Sequence, residues 1–350
     1  MKLRKSKATA LALVTVWLAG CGSSPTEQPG SGKEQAGPQQ EPSVLAAEPV
    51  AMLTSTEGPT VDRDGVVYFA VGGLTGGRIV KWTDGAPRGT EPGWPGLPGR
   101  VEIFRDYGAG GLIFDIEGRL LATERGPKGD RPGVTRTDVK TGKVEWLADR
   151  YQGKRFNNPN DLTIDNKARI YFTDRPGTSP TPDQTGVNAV YRIDPDGTVT
   201  QILKEPEIER PNGIVISPDD KVLYLIEAHI QKGGARLIRS YDLQADGTVS
   251  NMRVFYNFAP GRSGDGMTVD SEGNLYVAAG LNMPRGSDET MDTKAGIYVI
   301  SPAGKLRRFI PVLEDILTNV AFGGPDMKTL YVTAGKTLFR IRVDTPGTRR

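Results

Sequence analysis

A hairpin pattern that recurs six times at nearly constant spacing constrains this chain more than any other feature. The clearest copy runs from Gly264 to Ala279, GDGMTVDSEGNLYVAA, where two apolar runs flank an acidic turn that contains glycine. Successive copies begin 53, 50, 52, 53 and 53 residues apart, at Glu57, Gly110, Asn160, Asn212, Asp265 and Thr318. Strand-rich units at such a period are typical of blades repeated around an axis. We therefore predict an all-β, six-bladed β-propeller.

The last repeat is one strand short of the others. Each period has room for four short strands, but the chain stops soon after the apolar segment Leu338–Val343. We expect the segment near Val44 to Leu53, which precedes the first repeat, to complete the sixth blade. An N-terminal strand in that place would remove two exposed sheet edges and close the ring. The predicted propeller spans residues 44–345.

The first residue of each repeat is the position at which the copies differ in chemistry. The innermost strand of a propeller blade lines the central channel, so these side chains should converge near the axis. Four of them carry side-chain oxygen atoms of carboxylates or carboxamides, namely Glu57, Asn160, Asn212 and Asp265. Two carboxylates and two carboxamides suit a hard divalent cation. The alternative is that these polar residues only cap turns at the strand starts.

The N-terminus carries the pattern of an export signal. Four basic residues within Met1–Lys7 precede the small, apolar stretch Ala8–Gly20, which is too short to span a membrane stably. The sequence LAGC that ends at Cys21 resembles the bacterial lipoprotein signal, in which the cysteine becomes the lipidated first residue. We predict a signal peptide over residues 1–20, a lipidated Cys21, and a disordered tether over residues 21–43 that is rich in Ser, Pro, Gly and Gln. An ordinary cleaved signal that leaves a free thiol is the alternative.

This signal implies a protein of the bacterial cell envelope that touches the membrane through its lipid anchor only. The lipidated cysteine is followed by Gly22 and not by Asp, which favours the periplasmic face of the outer membrane in a bacterium with two membranes. Removing residues 1–20 changes the formal charge from +2 to −2, and no basic block remains. Nucleic acid is therefore not an expected partner.

The numbers of cysteines and histidines exclude several kinds of catalytic site in the channel. Cys21 is the only cysteine, which excludes an intramolecular disulfide and a nucleophilic cysteine inside the fold. His229 is the only histidine, and we interpret it as a loop residue that follows the strand ending at Glu227. The chain contains no G-x-S-x-G elbow, zinc-spaced His/Cys cluster, Walker loop or dinucleotide fingerprint. Any chemistry in the channel is therefore expected to be metal-assisted.

Several motifs resemble the family of senescence marker protein, gluconolactonase and luciferin-regenerating enzyme, over about residues 50–343. They are KRFNNPNDL (154–162), YFTD (171–174), VYRIDPDG (190–197), RPNG (210–213), GDGM (264–267), EGNL (272–275) and FGG (322–324). The resemblance implies a six-bladed propeller that holds a divalent cation, often calcium, on its axis and hydrolyses lactones and related esters. It places metal ligands at Glu57, Asn212 and Asp265, and an additional axial asparagine at Asn160.

Three departures from the family pattern lie around this axis. Asn158 stands where animal members carry an arginine that holds the sugar. Glu124-Arg125 stands where many bacterial members carry a histidine, and Asp174-Arg175-Pro176 replaces a frequent Asp-Pro-Pro. The metal site is therefore expected to carry over from the family, whereas the sugar specificity is not.

These observations predict a metal-dependent hydrolase that opens lactones, for example gluconolactone, with Ca²⁺, Mg²⁺, Mn²⁺ or Zn²⁺ and calcium as the first choice. The cation would polarise the carbonyl and activate water, with Asp265 as general base and Glu57 as the alternate base. Asn160 and three further residues on the loops are candidates for contacting substrate, namely Asn158, Arg125 and Arg175. Solvated surface arginines are the alternative for Arg125 and Arg175.

Two other functions stay open at this stage. The same ion could serve an aryl-ester or phosphoester hydrolase, because propeller pockets change substrate by loop replacement. A non-enzymatic, tethered binding propeller could use the same ligands for a purely structural cation.

Overall fold

The computed structural model of the protein describes residues 45–72, 77–85, 97–108, 110–177 and 181–349. The predicted signal peptide, Cys21 and the tether lie outside the described residues, as does most of the loop between Gly85 and Gly99. Within these ranges, no helix is long and apolar enough to cross a membrane.

The described residues form six antiparallel, four-stranded sheets, each of which is one blade of a β-propeller. The first three blades consist of β2 (Thr56–Val61), β3 (Val67–Val71), β4 (Arg78–Thr83) and β5 (Arg100–Arg105); β6 (Leu112–Phe114), β7 (Leu120–Glu124), β8 (Gly133–Thr137) and β9 (Val144–Ala148); and β12 (Pro159–Ile164), β13 (Ile170–Asp174), β14 (Ala189–Ile193) and β15 (Val199–Lys204). A small hairpin that the sequence did not predict, β10 (Arg150–Tyr151) with β11 (Lys154–Arg155), connects the second and third blades.

The remaining blades repeat the same strand order. They consist of β16 (Pro211–Ile216), β17 (Val222–Ala228), β18 (Arg236–Leu243) and β19 (Val249–Asn257); β20 (Gly264–Val269), β21 (Leu275–Ala279), β22 (Gly296–Ile300) and β23 (Leu306–Pro311); and β24 (Leu317–Gly323), β25 (Thr329–Ala334), β26 (Thr337–Arg342) and β1 (Glu48–Met52). The prediction of a six-bladed, all-β propeller is confirmed.

The sixth blade takes its outer strand from the N-terminal side of the propeller, as the sequence predicted. Strand β1 pairs antiparallel with β26, from Glu48 opposite Arg340 to Met52 opposite Thr337. Within β1, Val50 and Ala51 are buried. Because β1 covers the outer edge of β26, the first and last strands of the ring belong to one sheet and the propeller is closed.

The acidic residue in the repeated turn explains why the hairpins recur so regularly. Asp115, Asp165 and Asp270 each accept two backbone hydrogen bonds through Oδ1, from the residues two and four positions later, at 2.8–3.0 Å. Each carboxylate therefore satisfies the donors of its own turn and fixes the register of the two innermost strands. These contacts lie within four residues of each aspartate, so the sequence pattern alone encodes the turn.

The strands nearest the axis form a continuous ring. Each of β2, β6, β12, β16, β20 and β24 contacts the next, and β24 contacts β2. The apolar side chains of the second and third strands pack between blades; one core, for example, joins Ile297 and Val299 of the fifth blade to Leu330 and Val332 of the sixth. Burial of these faces holds neighbouring blades together. It thereby holds the inner strands in a fixed arrangement around the channel.

Candidate functional site

A polar cavity of about 180 Å³ lies at the end of the channel where the inner strands begin. Its lining brings together six of the residues singled out from the sequence, namely Glu57, Arg125, Asn158, Asn160, Arg175 and Asp265. These residues belong to several different blades and to the loops between them, so only the closed ring places them side by side.

The fourth predicted ligand, Asn212, joins this set through a hydrogen bond. Its Nδ2 atom donates to Oδ1 of Asp265 at 2.7 Å, and its side chain is buried. The backbone carbonyl of Asn212 accepts a hydrogen bond from Thr173 Oγ1 at 2.8 Å, and that of Asn160 accepts one from Thr123 Oγ1 at 2.7 Å. Threonines on the second strands of the preceding blades therefore fix both asparagines. The structure thus brings all four predicted oxygen donors to one place.

A local irregularity turns the first residues of the repeats toward the axis. The pairing of the two innermost strands shifts register directly at the repeat start, for example between Glu57 and Thr60 and between Pro211 and Ile214. Such bulges re-aim side chains. The next position is glycine in several repeats; a Cβ on Gly213 would lie 2.5 Å from the Asp265 carbonyl oxygen. The small residue therefore allows neighbouring inner strands to approach one another closely.

Burial raises the pKa of two carboxyl groups of the channel. It raises the pKa of Glu57 to about 8, a rise to which the negative charges of Asp265 and Asp161 also contribute. Burial likewise raises the pKa of Asp161 to about 7. Asp161 follows Asn160 on β12 and was not singled out from the sequence. The channel therefore concentrates negative charge that a cation would stabilise.

Asp265 is held through both of its carboxylate oxygens. Oδ1 accepts the hydrogen bond from Asn212, and Oδ2 forms an ion pair with Arg262 Nη2, whose side chain is buried. The sequence analysis missed Arg262. Its position three residues before Asp265, at the entry to the same inner strand, was the available signal.

Arg125 and Asn158, which both depart from the family pattern, contact each other in the structure. Arg125 Nε donates to Asn158 Oδ1 at 2.7 Å, and the Asn158 backbone nitrogen donates to Asp174 Oδ1 at 2.6 Å. Asp174 is fully buried, and burial raises its pKa to about 6. Arg125 therefore brings a guanidinium from the second blade to the asparagine that occupies the place of the family's arginine.

Arg175 also lies in the cavity and is not a solvated surface residue. Burial lowers the pKa of Arg175 to about 10, with a further contribution from the positive charge of Arg210. Arg175 and Arg125 are both half-buried. Both arginines therefore lie at the cavity, and their contact with a substrate stays a prediction.

His229 takes no part in this cavity. It follows β17, where its backbone nitrogen donates to the Ala235 carbonyl at 3.0 Å and its Nδ1 accepts from the Gln231 backbone nitrogen at 3.2 Å. These contacts fold the loop after β17. The interpretation of His229 as a loop residue agrees with this placement.

The donor set fits a hard divalent cation. The described residues contain no group of three or more His, Cys, Asp or Glu side chains that could hold a metal ion. The axial set consists instead of the carboxylates of Glu57 and Asp265 and the carboxamides of Asn160 and Asn212, which are oxygen ligands suited to such an ion. The pKa of Glu57 is raised mainly by burial, and positive charge beside it would favour its ionised form. A cation would supply that charge.

The fold and this site define a class, the six-bladed propellers with side-chain oxygen atoms gathered on the axis. Residues 55–336 match the family described as SMP-30/gluconolactonase/LRE-like region. The chain belongs to this family. The family resemblance found in the sequence is confirmed.

Individual relatives agree with this assignment. The chain is 29% identical over 282 residues to a gluconolactonase of Zymomonas mobilis, a match that covers 76% of this chain and 72% of that protein. A gluconolactonase from Xanthomonas campestris superposes with a TM-score of 0.63 at 24% identity, covering 86% of this chain and 97% of that one. A calcium-binding regucalcin from Agrobacterium tumefaciens gives a TM-score of 0.63 at 18% identity, over 87% and 96% of the chains. At these identities the two structures show the fold alone.

Proposed function

We propose that this protein is a lactonase that opens sugar lactones with the help of a divalent cation. One observation carries the proposal: Glu57, Asn160, Asn212 and Asp265 converge at the end of the channel beside a polar cavity. The similarity to the gluconolactonase of Zymomonas mobilis supports a sugar lactone as the substrate class. The calcium-binding regucalcin among the structural neighbours supports Ca²⁺ as the first ion to test.

A divalent cation held by these four residues would supply a Lewis acid that stabilises the negative charge developing on the lactone carbonyl oxygen. Asp265 takes the proton of the attacking water and returns it to the ring oxygen as the acyl C–O bond breaks, which gives the hydroxy acid. Arg262 and Asn212 hold both oxygens of Asp265 and so fix its orientation. Glu57 is the alternate candidate for this role.

The polar rim of the cavity orients the substrate in this proposal. Asn160 lines the cavity, and Asn158 offers its Nδ2 donor while its Oδ1 accepts from Arg125. Amides of this kind hydrogen-bond the hydroxyls of a sugar ring. Arg125 and Arg175 add charged donors on the same rim.

A panel of sugar lactones, aryl esters and phosphoesters, assayed after chelation and after addition of Ca²⁺, Mg²⁺, Mn²⁺ or Zn²⁺, tests this function. We expect lactone opening to be lost on chelation and restored by at least one ion. Faster turnover of an aryl ester or phosphoester than of every lactone would replace the proposed substrate class. A protein that loses thermal stability on chelation but consumes none of these compounds would be a binding propeller with a structural cation.

We also propose that the propeller is anchored in the cell envelope through Cys21. The support is the sequence LAGC after an apolar stretch, followed by a polar tether. Mass spectrometry of the protein from bacterial membranes would show a chain that begins at a diacylated Cys21. A soluble chain that begins at any other residue would contradict the proposal.

A further inference from the structure

Four arginines lie in or close to the cavity. Arg125 and Arg175 line it, Arg262 is ion-paired with Asp265, and the charge of Arg210 acts on Arg175. The acidic side chains in the same environment are Glu57, Asp265, Asp161 and Asp174, so the formal charges of the side chains balance before a cation is bound. A bound divalent cation would then leave an excess of two positive charges. A neutral substrate would leave the excess uncompensated.

Several of these guanidinium groups have donors that the protein leaves unused. Among the described residues, Arg175 lines the cavity and has no hydrogen bond or ion pair, although it is half-buried. Arg262 Nη1 and Arg210 Nε are buried and find no hydrogen-bond partner within the described ranges either. A buried donor without an acceptor is destabilising, so a ligand that supplies the acceptor would be bound favourably.

The backbone on either side of the cavity is fixed so that these arginines stay in place. Asp174, which directly precedes Arg175, accepts hydrogen bonds from the backbone nitrogens of Asn157 and Asn158 at 2.9 and 2.6 Å. Glu227 in the next blade accepts one from the backbone nitrogen of Arg210 at 2.7 Å. Two buried carboxylates thus organise the chain that carries Arg175 and Arg210.

We propose that the substrate is a lactone that bears an additional anionic group, a carboxylate or a phosphate, and that Arg175 binds this group. Arginine is suited to this because its planar fork donates two parallel hydrogen bonds to either anion. Arg125, fixed by Asn158, stands on the same rim. This inference rests on the proposed lactonase function, of which it names the substrate class.

Matched lactones distinguish the two sources of negative charge. Glucaro-1,4-lactone carries a carboxylate and is compared with neutral glucono-1,4-lactone, and 6-phosphoglucono-1,5-lactone carries a phosphate and is compared with neutral glucono-1,5-lactone. For the wild-type chain we expect kcat/KM to be at least about tenfold higher on one charged lactone than on its neutral counterpart, as expected for an added hydrogen bond to a charged group. The preferred charged lactone identifies the anion.

Substitution of Arg175 tests its role. We expect Arg175→Gln to lower the ratio of kcat/KM on the charged lactone to that on the neutral lactone by about 10- to 100-fold, the effect of losing such a bond. Arg175→Lys, which keeps the charge but not the fork, should recover part of this ratio. Arg253→Gln is the matched control. Arg253 lies on the outer strand β19, where it forms an exposed ion pair with Asp242 of β18. The substitution removes one positive charge far from the cavity and should leave the ratio unchanged.

A binding measurement keeps the inference independent of turnover. Glucarate and 6-phosphogluconate should each be titrated by calorimetry into wild-type, Arg175→Gln and Arg253→Gln proteins, with sorbitol as the neutral comparison. Binding of one anion that is lost only in Arg175→Gln supports the anion site, whether or not a lactone is opened. Wild-type kcat/KM values that do not favour a charged lactone, together with no anion binding, overturn the inference and leave a lactonase for neutral sugars. A protein that opens no lactone at all overturns the proposed function instead.

Discussion

Asn212 Nδ2 donates a hydrogen bond to Asp265 Oδ1 at 2.7 Å, which links the inner strands of the fourth and fifth blades at the axis. Asn212 and Asp265 are one repeat apart in the sequence. They meet only because the inner strands of adjacent blades begin at equivalent positions along the axis. The contact unites one carboxamide and one carboxylate of the proposed ligand set.

The first prediction concerns this contact. Asn212→Ala removes a proposed ligand and frees Asp265 to move, so the affinity for Ca²⁺ should fall by about 10- to 100-fold. Calorimetric titration of the chelated protein measures this. Asn166→Ala, at an exposed turn of the third blade, is the control and should bind Ca²⁺ like the wild type. Equal affinities of both variants would exclude Asn212 from the site.

The second prediction concerns the general base. Asp265→Asn keeps the shape of the side chain but cannot take a proton, so kcat/KM on the best lactone should fall by about 10²- to 10⁴-fold. Steady-state kinetics at saturating cation, together with circular dichroism to verify the fold, provide the measurement. Asp196→Asn, at an exposed turn, should retain full activity. Undiminished turnover in Asp265→Asn would show that another group accepts the proton.

The third prediction concerns Asp174, whose pKa is raised to about 6 by burial. A carboxyl with a raised pKa in the folded state contributes stability that is fully present below about pH 4 and is lost as the pH rises through about 6. The change of about two pKa units corresponds to about 3 kcal/mol. Urea denaturation between pH 4 and 7 should show that wild type loses this amount relative to Asp174→Asn, which does not titrate. Parallel pH profiles of the two proteins would contradict the assignment.

The fourth prediction concerns close approach of the inner strands. A Cβ on Gly213 would lie 2.5 Å from the Asp265 carbonyl oxygen, so Gly213→Ala should force the fourth and fifth blades apart. We expect a loss of about 1–3 kcal/mol in the free energy of unfolding and weaker Ca²⁺ binding. Gly286→Ala is the control because nothing lies within 4 Å of a Cβ there. A fully stable Gly213→Ala variant with normal cation affinity would mean that the inner strands tolerate separation.

The fifth prediction concerns closure of the ring by β1. Val50 is fully buried, so Val50→Asp places an unpaired carboxylate between β1 and the interior and should destabilise the propeller by about 3 kcal/mol or more. Glu48→Gln removes only an exposed ion pair with Arg340 and should cost less than about 1 kcal/mol. Thermal unfolding of both variants checks this. Similar melting temperatures would show that β1 contributes little to the stability of the ring.

The repeat period made the fold predictable. A turn such as that of Asp270 fixes its own hairpin through contacts two and four residues apart, so hairpin and register are encoded locally. The same period assigned Glu57, Asn160, Asn212 and Asp265 to equivalent positions of successive blades, and equivalent positions on innermost strands meet at the axis. The N-terminal strand followed from counting the strands of the last repeat.

The environment of the cavity was less predictable because it depends on contacts between blades. Arg125 meets Asn158 across two blades, and the period says nothing about how the loop after β7 folds. The partial burial of Arg175 likewise depends on the third blade and its neighbours and not on its own loop sequence. Arg262 was accessible to sequence reasoning, since it precedes Asp265 by three residues, but a salt bridge at that spacing is expected in helices and not at a strand entry.

The pairing of β1 with β26 has a consequence for how the molecule is made. Glu48 and Arg340 are 292 residues apart and yet form an ion pair in the same blade. During synthesis, five blades have every strand they need before the chain is finished, whereas the sixth waits for its C-terminal segment. Until β26 is available, β1 has no strand to pair with and the propeller remains open. Closure of the ring around the axial site therefore requires β26 to be available for pairing with β1.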